Sequence, residues 1–161
     1  MLKLLNIELV ISLNMNEEFK NRFSISTDKS KLDISMIHNF LKSSYWAENI
    51  LRVTIETSIN NSLCFGIYEN NKQVGFARVI SDYATSALLR DVFILEPYRG
   101  QGLGKWLIKY ILEYPELQNV QKWLLGTKDA HELYRRYGFQ NLTAPETIMV
   151  RLNSNANQSD A

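Results

Sequence analysis

The chain has 161 residues, of which 45% are hydrophobic, so it is long enough for one domain with a substantial core. With 18 basic and 17 acidic residues, its net charge of +1 gives no reason to expect a nucleic-acid or membrane partner. The single cysteine, Cys64, excludes an internal disulfide and suits a reducing compartment such as the cytoplasm. Its neighbours Leu63 and Phe65 predict a structural thiol inside a strand.

Two terminal segments are predicted to lie outside the main domain. Residues 1–20 contain the apolar run LLNIELVISL, which is short, carries Glu8 and is followed by no cleavage site. It is interpreted as an extra strand or helical turn rather than a signal peptide or membrane span. Residues 153–161 are small and polar and are predicted to be disordered. The domain is therefore expected over residues 21–152.

The domain begins with one strand pattern and two helix patterns. Residues 23–26 alternate between apolar and polar side chains, which predicts a short strand. Apolar residues three or four apart predict a helix that begins at Asp33 and a second helix over residues 50–59. The loop between these helices contains an aromatic pair, Tyr45 and Trp46.

Three strand patterns follow. Residues 63–68 and 74–80 are apolar runs separated by the turn-forming sequence ENNK, so they predict a β-hairpin. A third strand is predicted over residues 87–95. Arg90 and Asp91 interrupt this otherwise apolar run, which is unusual for a central strand.

The last third of the domain predicts two helices and two strands. A helix pattern begins at Leu103 and ends before Pro115, because a residue that precedes proline avoids the helical region. Residues 123–127 form the next strand pattern. The helix sequence AHELYRRYG comes after it, with Asp129 as its predicted cap and a glycine at its end. Residues 148–152 predict a final strand, and the element order indicates a mixed α/β domain built on one sheet.

The stretch PYRGQGLGKW places Gly100, Gly102 and Gly104 between a strand and a helix. The spacing fails the dinucleotide fingerprint G-x-G-x-x-G, whose third glycine position holds lysine here, and leaves too few residues for a P-loop. A turn without a ligand is one alternative. The other is a phosphate-binding loop, since the first turn of a helix has free N–H groups and partial positive charge. Arg99 would then add charge-assisted bonds.

Two motifs resemble the GNAT superfamily of N-acetyltransferases. The sequence RGQGLG at residues 99–104 fits the superfamily pattern R/Q-x-x-G-x-G/A, and AHELYRRYGF at residues 130–139 fits A-x-x-L-Y-x-x-x-G-F. The order of elements fits as well, over residues 23–152. The resemblance implies a mixed, mostly antiparallel central sheet flanked by helices, with two central strands that splay apart.

The resemblance also implies acetyl-CoA as co-substrate and an amine as acetyl acceptor. In this superfamily the glycine loop holds the pyrophosphate of CoA, and the end of the preceding strand binds the pantetheine arm through its backbone. One of these strand amides also polarises the thioester carbonyl. The cofactor contacts implied for this chain are Val92, Phe93, Ile94, Arg99, Gly100, Gln101, Gly102, Leu103 and Gly104.

Tyr134 matches the tyrosine that serves this superfamily as the acid. Its phenol could donate a proton to the leaving sulfur or simply form a hydrogen bond to the thiolate. The alternative is a core tyrosine on an amphipathic helix. Tyr137 lies nearby but does not match the motif position.

The base that accepts the amine proton is less well defined by the sequence. Asp91 lies in an apolar strand that leads to the cofactor loop, so a carboxylate there could accept a proton directly or through water. The alternative is a buried ion pair with Arg78 or Arg90. Many relatives carry a glutamate in this region, and this strand has none. His131 is a further candidate, although a helix-surface histidine is the favoured interpretation.

The acceptor and the partners are only broadly defined. Tyr45 and Trp46 either form a wall of the acceptor site or belong to the core. A small molecule or a peptide amine fits equally well, no metal-ligand spacing is present, and a homodimer is an open expectation because relatives are often dimers. Alternatives to the enzyme are a non-catalytic acyl-CoA-binding domain on the same fold and an interaction module without a ligand.

Overall fold

The structure is a computed structural model that describes residues 21–153. The predicted strand or turn within residues 1–20 and the predicted disorder of residues 154–161 lie outside the described range. Within that range the chain forms one sheet with helices on both faces.

A five-stranded sheet forms the centre of the fold, in the order β1-β2-β3-β4-β5. All neighbouring strands are antiparallel except β4 and β5, which are parallel. The predicted mixed, mostly antiparallel sheet is therefore confirmed. The strands are β1 (Phe23–Ser26), β2 (Leu63–Glu69), β3 (Lys72–Ser81), β4 (Ser86–Ile94) and β5 (Lys122–Leu125).

Helices cover both faces of the sheet, because the strands carry apolar side chains on both faces. Phe76 and Phe93 pack with the two helices that precede β2 in one core cluster, whereas Phe65 and Ile67 pack with the helix that follows β4 in the other. The helices are α1 (Ile34–Leu41), α2 (Arg52–Asn60), α3 (Leu103–Leu112) and α4 (His131–Arg135). Single 3₁₀ turns occur at Lys29–Lys31, Glu96–Tyr98, Pro115–Leu117 and Pro145–Thr147.

Local sequence signals account for most of the element boundaries. The Asp33 carboxylate accepts a hydrogen bond from the Met36 N–H at 2.9 Å, so it caps α1 as predicted. Asn70 adopts φ +54° in the two-residue turn between β2 and β3, a conformation that asparagine tolerates well. Cys64 is buried within β2, as its neighbours indicated.

Two predictions near the C-terminus are wrong. Asp129 does not cap α4, because the N–H of Ala130 donates instead to Thr127 Oγ1 at 3.0 Å, and the helix extends only to Arg135. Residues 148–152 form no strand and are exposed to solvent. The alternation of these residues would give a strand two distinct faces. A strand also needs a neighbouring strand to pair with, and residues 148–152 have none in the described part of the chain.

Strands β4 and β5 splay apart towards one end of the sheet. Their pairing extends from Ser86 opposite Lys122 to Leu89 opposite Leu125, and beyond Leu89 strand β4 continues without a β5 partner. The β3–β4 register also shifts at this point. Asp91 adopts φ +53° there, so the strand bulges where the two strands separate.

Candidate active site

A cavity of about 870 Å³ opens where β4 and β5 separate. Its walls are the end of β4, the glycine loop before α3, the loop from β5 to α4, and the loop between α1 and α2. Of the residues predicted to form the site, Gln101 does not line this cavity, and its Oε1 accepts a hydrogen bond from Arg22 at 3.3 Å. The lining includes Tyr45, Trp46, Asp91, Val92, Phe93, Ile94, Arg99, Gly100, Gly102, Leu103, Gly104 and Tyr134.

The glycine loop presents backbone donors at the start of α3. Gly100 and Gly102 adopt φ values of +76° and +86°, which residues with a side chain rarely adopt, and Gly102 is the N-cap residue of the helix. None of the N–H groups of residues 100–104 donates to an acceptor in the described part of the chain. The loop therefore has the unpaired donors and the helix dipole that bind an anion.

Arg99 fixes the end of β4 relative to this loop. Its Nε donates to the carbonyl oxygen of Ile94 at 2.9 Å. The Ile94 carbonyl oxygen therefore already accepts a hydrogen bond. The expectation that the backbone of all three residues 92–94 is free to bind a ligand does not hold for this oxygen. Val92 and Phe93 lie on the segment of β4 that has no β5 partner.

The bulge at Asp91 is held by a buried ion pair. Arg78 Nε donates to Asp91 Oδ2 at 2.8 Å, and both side chains are less than one-tenth exposed. A second guanidinium nitrogen of Arg78 donates to Ser62 Oγ at 3.1 Å. Of the two arginines considered as partners from the sequence, Arg78 is the one that pairs. Asp91 Oδ1 has no hydrogen-bond partner among the described residues.

Tyr134 brings a phenol into the cavity from α4. The residue is 8% exposed, and burial, reinforced by nearby Tyr45 and Asp129, raises its pKa to about 12. Its ring packs edge-on against Phe139, with ring centres 5.8 Å apart. Its hydroxyl has no hydrogen-bond partner within residues 21–153.

Tyr137 and His131, the two other candidates in the motif at residues 130–139, do not line the cavity. The hydroxyl of Tyr137 donates to the carbonyl oxygen of Lys105 at 2.9 Å, and Tyr137 does not line the cavity. His131 is exposed and does not line it either. Tyr134 is therefore the tyrosine of this motif that a ligand in the cavity could contact.

Aromatic side chains of α1 and of the α1–α2 loop form another wall of the cavity. Tyr45 and Trp46 pack edge to face with centres 5.0 Å apart, and Phe40 stacks on Phe93 at 3.8 Å. The N–H of Lys128 donates to the Tyr45 hydroxyl at 3.0 Å. This bond joins the α1–α2 loop to the loop that leads into α4, so these two loops form one continuous wall of the cavity.

Comparison with known proteins identifies the family. Residues 60–141, just over half of the chain, match the family model described as an acetyltransferase (GNAT) domain. The chain belongs to the GNAT acetyltransferases. It is therefore an acyltransferase, and its family uses acetyl-CoA as co-substrate.

Individual relatives agree with this GNAT assignment. A GNAT-family protein from Xanthomonas campestris, an acetyltransferase by name, is 43% identical, with a TM-score of 0.80 over 85% of this chain and 97% of its own. A Gibberella zeae protein, also an acetyltransferase by name, is 28% identical over 74% of this chain and 80% of its own. A Clostridium acetobutylicum acetyltransferase crystallised with acetyl-CoA shares the fold, at 16% identity and a TM-score of 0.58.

The GNAT site has the features that acetyl-CoA requires. The unpaired N–H groups of residues 100–104 suit a pyrophosphate. The stretch of β4 that has no β5 partner offers backbone groups to an extended pantetheine arm. The open space around Gly100, where an added Cβ would meet no atom within 4 Å, leaves the loop accessible. The residues present therefore fit the co-substrate.

Some lining residues were missed by the sequence analysis. Phe40 and Lys128 were not singled out, although both contact the predicted acceptor wall. Phe40 lies one helical turn before the Tyr45–Trp46 loop, and this spacing was the only signal available. Lys128 contacts Tyr45 twice: its ammonium lies 5.5 Å from the centre of the ring, and its backbone N–H donates to the hydroxyl. Both contacts join residues 83 positions apart in the sequence, so neither could be read from local pattern.

The described residues contain neither a candidate metal site nor a candidate membrane span. No group of three or more His, Cys, Asp or Glu residues in this part of the chain is arranged to hold a metal ion. Likewise, none of the helices within residues 21–153 combines the length and apolar character needed to cross a bilayer.

Proposed function

We propose that this enzyme transfers the acetyl group of acetyl-CoA to a primary amine by direct attack within a ternary complex. One observation carries the proposal: Gly100, Gly102, Leu103 and Gly104, whose amides are unpaired, and Tyr134, whose hydroxyl is unpaired, line the same cavity. An anion held at the loop and a reacting group near the phenol can therefore occupy it together.

Binding is assigned to the backbone more than to side chains. The amides of residues 100–104 hold the pyrophosphate with the help of the α3 dipole, and the backbone of Val92 and Phe93 orients the pantetheine arm. Acetyl-CoA supplies an acetyl thioester that a neutral amine can attack. A free N–H of the β4 bulge would stabilise negative charge on the thioester oxygen.

Tyr134 acts as a hydrogen-bond donor to the sulfur that leaves. Its pKa of about 12 exceeds that of an ordinary thiol, about 8.5, so complete proton transfer to the thiolate is unfavourable by about 3.5 pKa units. A hydrogen bond from the neutral phenol avoids that cost and still stabilises the developing charge. Of the two roles considered from the sequence, the raised pKa supports this one.

The amine must lose a proton when the new C–N bond forms. Asp91 stays our candidate for accepting it, through Oδ1 or an intervening water, because the residue lines the cavity. The ion pair between Asp91 and Arg78 argues against this role and for the alternative, a purely structural ion pair. A carboxylate that accepts a proton loses most of its attraction to the guanidinium.

The acceptor is assigned to the aromatic side of the cavity. Tyr45 and Trp46 line it and remain 53% and 38% exposed, so they are available to a ligand rather than committed to the core. A small-molecule amine and a peptide amine both suit a wall of this kind. The free, buried thiol of Cys64 is consistent with the cytoplasm as the site of action.

The test is to measure CoA release with a panel of small and peptide amines. Tyr134→Phe should lower kcat by about 10- to 100-fold, the value of a hydrogen bond to a charged group, with little change in acetyl-CoA affinity. Tyr137→Phe is the matched control, because that hydroxyl bonds the Lys105 carbonyl outside the cavity. Its kcat should stay within about twofold of wild type.

Two results would contradict the proposal. Tight acetyl-CoA binding without turnover on any amine would favour a regulatory acyl-CoA-binding domain. Loss of acetyl-CoA binding in Tyr134→Phe, with unchanged turnover of the complex that still forms, would remove the assigned role of Tyr134.

A further inference from the structure

Two positively charged side chains of the cavity lack a negatively charged partner. Arg90 and Lys128 line the cavity, and both residues are exposed to solvent. Neither forms an ion pair with a carboxylate in the described part of the chain. Arg99 also lines the cavity, but it belongs to the glycine loop, and its Nε donates to the Ile94 carbonyl oxygen. Arg90 and Lys128 are therefore cations that the proposed binding of acetyl-CoA does not use.

The register of the sheet determines the side from which Arg90 projects. Arg90 lies opposite Arg78 in the β3–β4 pairing, and Arg78 lies opposite Cys64 in the β2–β3 pairing. Directly opposed residues project from the same face of a sheet, and Cys64 packs in the core cluster that contains residues of α1 and α2. Leu89, the residue before Arg90, packs in the other cluster, with α3. Arg90 therefore projects from the face that carries the α1–α2 loop and its aromatic wall.

This placement separates Arg90 from the site assigned to the pyrophosphate. The amides that suit the pyrophosphate lie at the start of α3, and Leu103 and Leu107 of that helix pack on the opposite face of the sheet. Arg90 is thus on the same side of the sheet as Phe40 of α1, which packs against the cluster of α1 and α2. The guanidinium of Arg90 is available to the acetyl acceptor rather than to the diphosphate.

Lys128 and its neighbour Asp129 complete the charges of this wall. The Lys128 ammonium nitrogen lies 5.5 Å from the centre of the Tyr45 ring, a contact that leaves its N–H donors free for an anion. Asp129 lines the cavity, forms no ion pair within residues 21–153, and lies near enough to Tyr134 to help raise the pKa of its phenol. The wall therefore offers a carboxylate to an ammonium group near the phenol and two cations to a negative group.

We infer that the acetyl acceptor is an amine that also carries a carboxylate or a phosphate, and that Arg90 and Lys128 bind this negative group. The inference rests on the proposed acetyl transfer and specifies which amines it uses. A guanidinium can form two parallel hydrogen bonds to either anion and so fixes its orientation, whereas the ammonium of Lys128 adds a point charge. Two cations on the wall of a cleft also raise the local concentration of anionic ligands.

The experiment compares amines in pairs that differ only in the negative charge. Amino acids are compared with their carboxamides, and aminoalkyl phosphates with the parent amino alcohols. The KM of the anionic member should be about 10- to 100-fold lower in at least one series, the value of hydrogen bonds between charged groups. The series that shows the preference distinguishes a carboxylate from a phosphate.

Variants of Arg90 test the assignment to this side chain. Arg90→Met should raise the KM of the anionic member to that of its neutral counterpart, while the Kd for acetyl-CoA stays unchanged. Arg90→Glu should make the anionic member the poorer of the two, because like charges would then meet in the site. Arg136→Met is the matched control, since Arg136 is exposed and forms no ion pair in the described part of the chain but does not line the cavity. It should retain the wild-type preference.

Three outcomes would overturn the inference. They are equal KM values within both series, a preference that survives Arg90→Met, and a loss of acetyl-CoA affinity in Arg90→Met as large as the rise in KM. Calorimetry on protein saturated with CoA measures the same preference as binding, without turnover. Preferential binding of the anionic amine without any acetyl transfer would support this inference and contradict the proposed function, so the two failures are distinguishable.

Discussion

At the scale of single residues, the protonation state of Tyr134 determines the pH range over which its hydroxyl contributes to kcat. Burial raises the pKa of its phenol to about 12, so the neutral, donating form prevails at every pH below that value. The ratio of wild-type kcat to Tyr134→Phe kcat should stay constant from about pH 7 to about pH 10 and then decline towards one. Steady-state kinetics of both proteins across this range would measure it. A ratio that already declines near neutral pH would contradict the assignment.

The ion pair between Arg78 and Asp91 should stabilise the bulge of β4. Asp91→Asn preserves a side chain that tolerates φ +53° but leaves the buried guanidinium without its counter-ion. We expect this change, and likewise Arg78→Met, to lower the free energy of unfolding by about 3–5 kcal/mol. Urea denaturation of each single variant and of the double variant would measure the loss.

The double variant is the control for that prediction. Removing both charges leaves no buried ion unpaired, so the loss should be well below the sum of the two single losses. Purely additive losses would contradict the pairing. The same proteins test Asp91 as the base, because a base role requires kcat to fall in Asp91→Asn by about 100-fold or more.

The sequence could identify Asp91 as unusual but not explain it. A charged pair within an apolar strand pointed to the position, and two arginines were equally plausible partners. The choice of Arg78 depends on the β3–β4 register, which shifts at this bulge. Register is set by the pairing of whole strands and cannot be obtained from one residue and its neighbours.

At the scale of elements, the glycine loop before α3 should require glycine for binding and not only for folding. Gly100→Ala places a side chain at φ +76°, which should cost about 1–2 kcal/mol of stability, and its Cβ meets no protein atom within 4 Å. Hydrogen bonds from the loop to the pyrophosphate would be obstructed, so acetyl-CoA affinity should fall about 10- to 100-fold. Isothermal titration calorimetry would measure the affinity.

Gly138→Ala provides a matched control for the loop. Gly138 has φ +85°, its added Cβ also meets nothing within 4 Å, and it does not line the cavity. The two variants should lose similar stability, but only Gly100→Ala should bind acetyl-CoA more weakly. Equal loss of affinity in both would mean that general strain, and not the loop, controls binding.

Elements whose signal is local were predicted well. The spacing of apolar residues, the cap at Asp33 and the ENNK turn were enough to identify β1 to β5, α1, α2 and α3. The strand predicted for residues 148–152 failed for a non-local reason, because the segment has the alternation of a strand but no neighbouring backbone in the described part of the chain. The cap predicted at Asp129 failed locally, since α4 begins after Ala130 without a side-chain cap and the Ala130 N–H donates to Thr127 Oγ1.

At the scale of the whole molecule, the labelling rate of the Cys64 thiol measures whether a ligand bound in the cavity stabilises the sheet against opening. The thiol is 1% exposed, and burial raises its pKa to about 11, so it is protected both from reagents and from ionisation near neutral pH. Its reaction with a thiol reagent at about pH 8 should therefore require opening of β2, a central strand. Acetyl-CoA at 100 times its Kd should slow labelling by about 100-fold.

The control for this measurement is the same protein unfolded in urea. Its Cys64 thiol should react at the rate of an ordinary exposed thiol, with or without acetyl-CoA. A native labelling rate that does not respond to the ligand would mean that β2 opens locally while the cavity stays intact. The coupling of the sheet and the cavity would then be disproved.

The stack of Phe40 on Phe93 has a consequence for attempts to redesign this enzyme. Phe40 belongs to the helix that leads into the proposed acceptor wall, whereas Phe93 belongs to the end of β4, to which we assign the pantetheine arm. The two rings lie nearly parallel, 9° apart, so the parts to which we assign selectivity and reactivity are in direct contact. Grafting a foreign α1–α2 segment to change the acceptor would alter turnover as well, unless the graft retains an aromatic ring at position 40.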